Sequence, residues 1–245
     1  MTLTLNKGFW SPSVGGDPNF DDVFFLFQTP DSGSSLTDSS NSGFTLSAVG
    51  SAAPSTTQTK FQSQSLFLAS AHTGTQASVN IRSGSSMPTN WTFAGDFTLE
   101  AWIFPATATY DKANYLALGM SGASCGRGFV LGGNASQESY ILANGGVCEQ
   151  EFYNYSSWVT MDSWNYVAWT RSGSGSNNNK AYSGTSGSTS LRGQFTNTAT
   201  LGNASPTYLR LGGGNTQGFY LDSIRVTKGV ARDVSSVPTS AFPTS

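Results

Sequence analysis

The stretch that most constrains this chain runs from Gly218 to Arg232: Gly-Phe-Tyr-Leu-Asp-Ser-Ile-Arg-Val-Thr-Lys-Gly-Val-Ala-Arg. Read as a strand, it carries Phe219 and Leu221 on one face and Tyr220, Ile224 and Val226 on the other. A strand that is apolar on both faces has to be covered on both. The apolar parity changes at Asp222-Ser223, which predicts a β-bulge or a strand covered on both sides, and Lys228-Gly229 signals a turn. A second stretch, Asp96 to Pro105, alternates in the same way. Phe97, Leu99, Ala101 and Ile103 share one face, and Thr98, Glu100 and Trp102 the other. That is the period of a strand, and Pro105 falls at its end, where a missing N–H does no harm.

The rest of the chain repeats short runs of this kind. Val23 to Phe27 is continuously apolar, Phe44, Leu46 and Ala48 alternate, and Ser65-Leu-Phe-Leu68 follows Lys60-Phe61. Ala77, Val79 and Ile81 alternate with Ser78, Asn80 and Arg82, and Trp164 to Arg171 and Tyr208 to Leu211 read as further strands. No segment shows a helical apolar period, and there is no internal repeat. Only 11% of the 245 residues are charged, while 28 are Gly, a composition of short strands joined by tight turns. Disorder is excluded by 16 Phe, 9 Tyr and 6 Trp, enough bulk for a sizeable core. The fold class that follows is all-β, with packed antiparallel sheets whose topology the alternation alone leaves open. Phe97, Leu99, Ala101, Ile103, Val167, Trp169 and Ile224 are expected in its core.

Several of these stretches together resemble a known family. The Phe219 to Arg232 segment follows the pattern aromatic-aliphatic-Asp-x-aliphatic-Arg-aliphatic-Thr-Lys-Gly-Val-Ala-Arg. Phe97-Thr-Leu-Glu-Ala-Trp102 and Trp164-Asn-Tyr-Val-Ala-Trp-Thr-Arg171 match two more of its strands, with Tyr166 where His is frequent. The chain resembles the laminin-G-like, concanavalin A-like jelly rolls of phage virion proteins over Phe20 to Arg232. The resemblance implies the jelly-roll topology, with residues 1–19 as an N-terminal arm, 20–232 as the domain and 233–245 as an extended C-terminal tail.

The candidate chemistry is sparse. The single histidine, His72, stands in a turn-like Ala-His-Thr-Gly-Thr with no partner motif, so a nucleophilic triad is not expected. Glu149 and Glu151 lack the third acid of a jelly-roll glycosidase, which leaves a non-enzyme as the expectation and a glycoside hydrolase as a distant alternative. Calcium is the one ion worth weighing as a cofactor, because the resemblance includes calcium-binding rims. Asp31, Asp38, Asn41 and Asp222 could offer oxygens, but hydrogen bonding of Asp38 and Asp222 to backbone amides explains them without a metal. Cys125 and Cys148 sit in Gly-rich segments that could form a hairpin, either as a disulfide or as two free thiols. Tyr140, Tyr153, Asn154, Tyr155 and Trp158 mix aromatic and amide groups suited to glycans; the competing reading of such a stripe is core.

With 12 Lys and Arg against 14 Asp and Glu and no basic run, no nucleic-acid footprint exists. No apolar run reaches bilayer length, and the opening residues, without a charged and then apolar run, give no expectation of a secretory leader. The resemblance implies, as an expectation, a protein made in the host cytoplasm and carried on the virion surface in multiple copies. It would serve as an accessory or capsid-decoration module bound to other virion proteins, capsid or tail. The alternative is a tail fibre or spike adhesin that binds host-surface polysaccharide. Docking is expected through Phe9 and Trp10 in the arm and Val234 and Phe242 in the tail; the competing reading is that both arms fold back onto their own jelly roll.

Overall fold

A computed structural model describes residues 16–69, 77–86, 91–106, 158–198, 200–201, 209–212 and 218–245, and the backbone alone of 113–120, 129–134, 137–144, 147–151 and 202–203. No α-helix occurs among the described residues. After a 3₁₀ turn at Phe20–Asp22 the strands are β1 (Val23–Gln28), β2 (Thr45–Val49), β3 (Ala53–Ser55), β4 (Ser65–Leu68), β5 (Ser78–Arg82) and β6 (Trp91–Phe93). Then come β7 (Phe97–Pro105), β8 (Ala113–Met120), β9 (Phe129–Asn134), β10 (Gln137–Asn144), β11 (Val147–Glu151) and β12 (Asn165–Arg171). The last are β13 (Asn179–Gly184), β14 (Ser190–Phe195), β15 (Leu201–Asn203), β16 (Leu209–Gly212) and β17 (Phe219–Lys228).

These strands make two sheets. The first runs β14-β13-β12-β7-β17-β4-β3, with β1 added onto β17; the second runs β2-β5-β16-β8-β9-β10-β15-β6, with β11 on β10. Pairing is antiparallel throughout except at Asn144 and Gly202, which meet in parallel. The two stretches that dominate the sequence are neighbours at the centre of the first sheet, Val226 opposite Leu99 and Ile224 opposite Ala101. Phe97, Leu99, Ala101, Ile103, Val167, Trp169 and Ile224 all lie in the core between the sheets, as expected.

The parity change in β17 is a bulge. Leu221 pairs with Ile103 and Ser223 with Trp102, so Asp222 is the extra residue. Its carboxylate accepts from the Phe61 and Gln62 N–H groups, and its carbonyl accepts from Thr29 N–H. Burial pushes its pKa up, opposed by those amide hydrogen bonds. Asp38 works similarly, accepting from the backbone N–H groups of Leu26, Ser40 and Phe44 at 2.8–3.0 Å. Backbone amides reach both Asp38 oxygens but only Oδ1 of Asp222, whose Oδ2 is buried without a hydrogen-bond partner.

Every residue of β7 is buried, including the polar face. That face is covered by the chain's own ends. Val234, Val237 and Phe242 pack with Val23, Leu26, Trp102, Tyr166 and Ala168 in a second apolar layer outside the first sheet. The tail is tied down by Val237 N–H to Gly187 O at 2.7 Å and Thr189 N–H to Ser235 O at 2.9 Å. Asp17 N–H donates to Ser245 O at 2.8 Å, so residues 16–17 meet the tail. Beneath this layer lies a closed ionic group: Arg225 bonds Asp17 at 2.9 Å and Glu100 at 2.8 Å, and Arg232 bonds Asp17 at 2.8 Å. Tyr166 O–H donates to Glu100 as well. Two cations face two carboxylates, the only arrangement in which burying four charges is tolerable.

Two expectations are corrected here. Val234 and Phe242 are 4% exposed, so they fill the domain's own outer layer and are not available as docking groups. Burying them at home wins because the outer face of β7 would otherwise leave Trp102 in water. Trp158 is 2% exposed and belongs to the core, so it is no glycan platform.

Candidate functional site

A cleft of about 280 Å³ opens at one mouth of the sandwich, lined by Asp21, Asp22, Val23, Phe24, Asn41, Ser42 and Lys228. Three elements build it. The first is the start of β1, where Val23 pairs with Thr227 and Phe25 with Val226, leaving Phe24 as the extra residue of a bulge. The bulge turns Phe24 to the inter-sheet side beside Phe25, with its ring 5.1 Å from Trp91 and 5.3 Å from Phe44. Re-aiming a side chain is what such an insertion does.

The second element is the loop that carries the chain from β1 in one sheet to β2 in the other. Asp38 holds it by the three amide bonds described above, and Gly43 closes it at φ +58, a backbone state other residues adopt only under strain. Asn41 and Ser42 are thereby fixed at the rim. The third is the end of β17, where Lys228 crosses the Phe24 ring at 3.5 Å from its centroid and stands 4.9 Å from that of Phe93. Gly229 then turns the chain away, its N–H bonded to Asp96 O at 2.8 Å.

The site combines unlike groups. Burial pulls the Lys228 ammonium down to a pKa of about 8, while the ring faces beside it favour its charge. The Asp21 and Asp22 residues are exposed, and the Asn41 amide points at the Asp21 carboxylate at 3.5 Å. Two carboxylate acceptors, an amide, a hydroxyl and a cation seated on an aromatic ring suit a polyhydroxylated ligand. Among the described residues no group of three His, Cys, Asp or Glu side chains comes together as a metal site.

The sequence did not mark this cleft. Phe24 is hidden in a uniform apolar run, and Lys228 reads as a turn residue. Of the residues singled out as glycan-binding, the backbone of Tyr140 stands on β10 opposite Leu131, while Tyr153, Asn154 and Tyr155 lie outside the described residues, as do Phe9, Trp10 and His72. Cys148 is on β11 opposite Ala143, and Cys125 lies outside the described residues, so their pairing is untouched.

The polar residues that carry the family resemblance have structural work to do. Glu100 and Arg225 face each other across β7 and β17. Arg171 donates to the Gly95 and Phe93 carbonyls and stacks on Phe97 at 5.0 Å. These residues hold the strands and their connections together.

No protein-family model and no curated protein matches the chain. Among solved structures it is similar to the receptor-binding domain of botulinum neurotoxin type G, at 10% identity and TM-score 0.57, covering 87% of this chain and 49% of that one. The serotype D binding domain gives 11% identity and TM-score 0.58, covering 90% and 49%. A structure of botulinum neurotoxin type C, whose cell entry is dependent upon interaction with two ganglioside molecules, gives 11% and 0.55, covering 90% and 50%. The chain spans about half the length of these structures. At such identities the likeness shows the fold, a two-sheet β-sandwich jelly roll.

Proposed function

We propose that this chain is a non-catalytic glycan-recognition module of adhesin type, with the cleft around Phe24 and Lys228 as its binding site. The observation that carries the reading is the lining of that cleft: a Lys228–Phe24 pair beside two carboxylates, an amide and a hydroxyl. The named function of the neighbouring folds, receptor and ganglioside binding, supports the same class of activity. Display on a phage particle, as tail adhesin or capsid decoration bound to other virion proteins, is carried by the sequence resemblance. In that setting Phe9 and Trp10 remain the proposed docking groups, since the tail is occupied at home.

The test is a glycan array probed with the wild-type chain, Asp22→Asn and Lys228→Met. Binding of a neutral or mixed glycan set by the wild type, weakened at least tenfold in both variants, is expected. Wild-type binding that neither substitution touches would move the site elsewhere, and the absence of any glycan signal would remove the reading.

A further inference from the structure

Asp222 sits at a fork in the first sheet. Along one edge of β17, residues 219–221 pair with β4 and residues 223–227 with β1. The bulge falls where one neighbour leaves and the other arrives, and β7 on the far edge skips the same residue. Two elements close the gap. Thr29 donates both its N–H and its hydroxyl to the Asp222 carbonyl. The irregular segment 56–64 sends the Phe61 and Gln62 N–H groups to Oδ1 at 3.1 and 3.5 Å. That segment in turn covers Trp102, with the Phe61 ring edge-on at 5.5 Å and the Lys60 ammonium at 4.2 Å.

The two oxygens of this fully buried carboxyl have unlike surroundings. Oδ1 receives the amides, while no donor is directed at Oδ2; the Ser223 hydroxyl beside it is buried and equally without a directed bond. Asp38 is the contrast. Leu26 and Ser40 N–H groups reach its Oδ1, and Phe44 N–H and the Ser40 hydroxyl its Oδ2. Donors on both oxygens suit an anion; donors on one alone suit the C=O of a neutral acid whose other oxygen carries the proton. Nor does a cation relieve Asp222, which forms no ion pair among the described residues. Arg225, three residues along β17, is engaged by Asp17 and Glu100. The facing parts of β1, β4 and β7 bring Gln28, Ser65, Leu66, Trp102 and Ile103, none of which titrates. Segment 56–64 brings Lys60, seated over Trp102 and Phe61, and holds the exposed Asp31 through Ser63 N–H at 3.1 Å.

We propose that Asp222 is held in the fold as a neutral carboxylic acid, its O–H turned to Ser223, and forms a pH-sensitive clasp between β17 and segment 56–64. The clasp is closed with the proton on. Loss of the proton leaves a buried charge on an oxygen without a donor, and water reaches it by parting the segment from the sheet. Burial pushes the Asp222 pKa up from 3.8 and outweighs the lowering by the Phe61, Gln62 and Lys60 amides and the Ser223 hydroxyl. The folded chain therefore holds this proton more tightly than the unfolded chain. The stability it contributes falls as pH rises from 3.8 through the folded value. Asp222 and the cleft's Lys228 are at separate places on β17, and the clasp is independent of the glycan-recognition reading.

The test is a side-chain carboxyl carbon NMR titration of the full chain from about pH 3 to 9. Amide hydrogen exchange and urea unfolding accompany it, on the wild type, Asp222→Asn and Asp38→Asn. Asp222 should titrate above 3.8. As it ionises, protection of the Phe61 and Gln62 amides, corrected for intrinsic exchange, should drop by about tenfold or more, with the Leu26 and Phe44 amides unmoved. Asp222→Asn reproduces the neutral acid, its oxygen accepting from the segment and its NH₂ donating to Ser223. It should keep both amides protected and match or exceed the wild-type urea midpoint at about pH 8. Asp38→Asn turns an NH₂ against a backbone N–H and should lower the midpoint at every pH. Titration of Asp222 at or below 3.8 overturns the proposal, as does Phe61 and Gln62 protection that ignores its ionisation. An Asp222→Asn chain that loses as much as Asp38→Asn, or that fails to fold, overturns it too.

Discussion

Asp17, Glu100, Arg225 and Arg232 show how much of this fold hangs on single side chains. The Asp17 side chain is 2% exposed and that of Glu100 3%. For Asp17, burial alone would raise the pKa, but bonds from Arg232 and the Asn19 N–H and the nearby Arg225 charge overcome it and hold the carboxyl below its ordinary 3.8. A depressed folded value contributes stability that is present above the ordinary one and lost as pH falls through the folded one. Urea unfolding should therefore show wild-type stability declining below about pH 4. Asp17→Asn should be weaker at neutral pH by about 3 kcal/mol or more, since it leaves a buried guanidinium short of a partner, and should lose that acid-side slope. Lys228 acts in the same direction in the alkaline range: its pKa near 8 lies below the ordinary 10.5, so the unfolded chain holds more protons between those values. Stability should rise with pH across that window, and Lys228→Met should flatten the rise.

At the scale of elements, the tail and the Asp38 loop make separable contributions. Deleting residues 233–245 uncovers Trp102 and Tyr166 and removes Val234, Val237 and Phe242 from the outer layer, a burial worth at most roughly 5–9 kcal/mol by side-chain transfer. A much lower melting temperature with a red-shifted tryptophan emission is expected. Asp38→Ala orphans three amides and should cost about 3 kcal/mol; because the loop also carries Asn41 and Ser42, glycan binding should fall with it. The strands themselves were legible in the sequence, since two-residue alternation at Phe97–Ile103 and the parity break at Asp222 are local signals. The ionic group was not, because Arg225 lies 125 residues after Glu100 and 208 after Asp17. Trp158 and Phe242 misled for the same reason: an aromatic in a polar stretch carries no local mark of what the fold will lay over it. The cleft escaped because a bulge, invisible in an all-apolar run, decides where Phe24 points.

At the scale of the whole molecule, the buried polar residues of the two-sheet scaffold serve the fold, and the proposed recognition site is the cleft at its mouth. The Lys228 ammonium should make binding at that cleft decline as pH rises through about 8, a profile that titration calorimetry from pH 6.5 to 9.5 can follow. The most direct measurement is a backbone amide NMR titration of the folded chain with the strongest array ligand. Shifts concentrated at Asp22, Phe24, Asn41, Ser42 and Lys228 at low ligand concentration are the predicted result. A saturable titration that leaves those amides unmoved would contradict the placement of the binding site at the sandwich mouth.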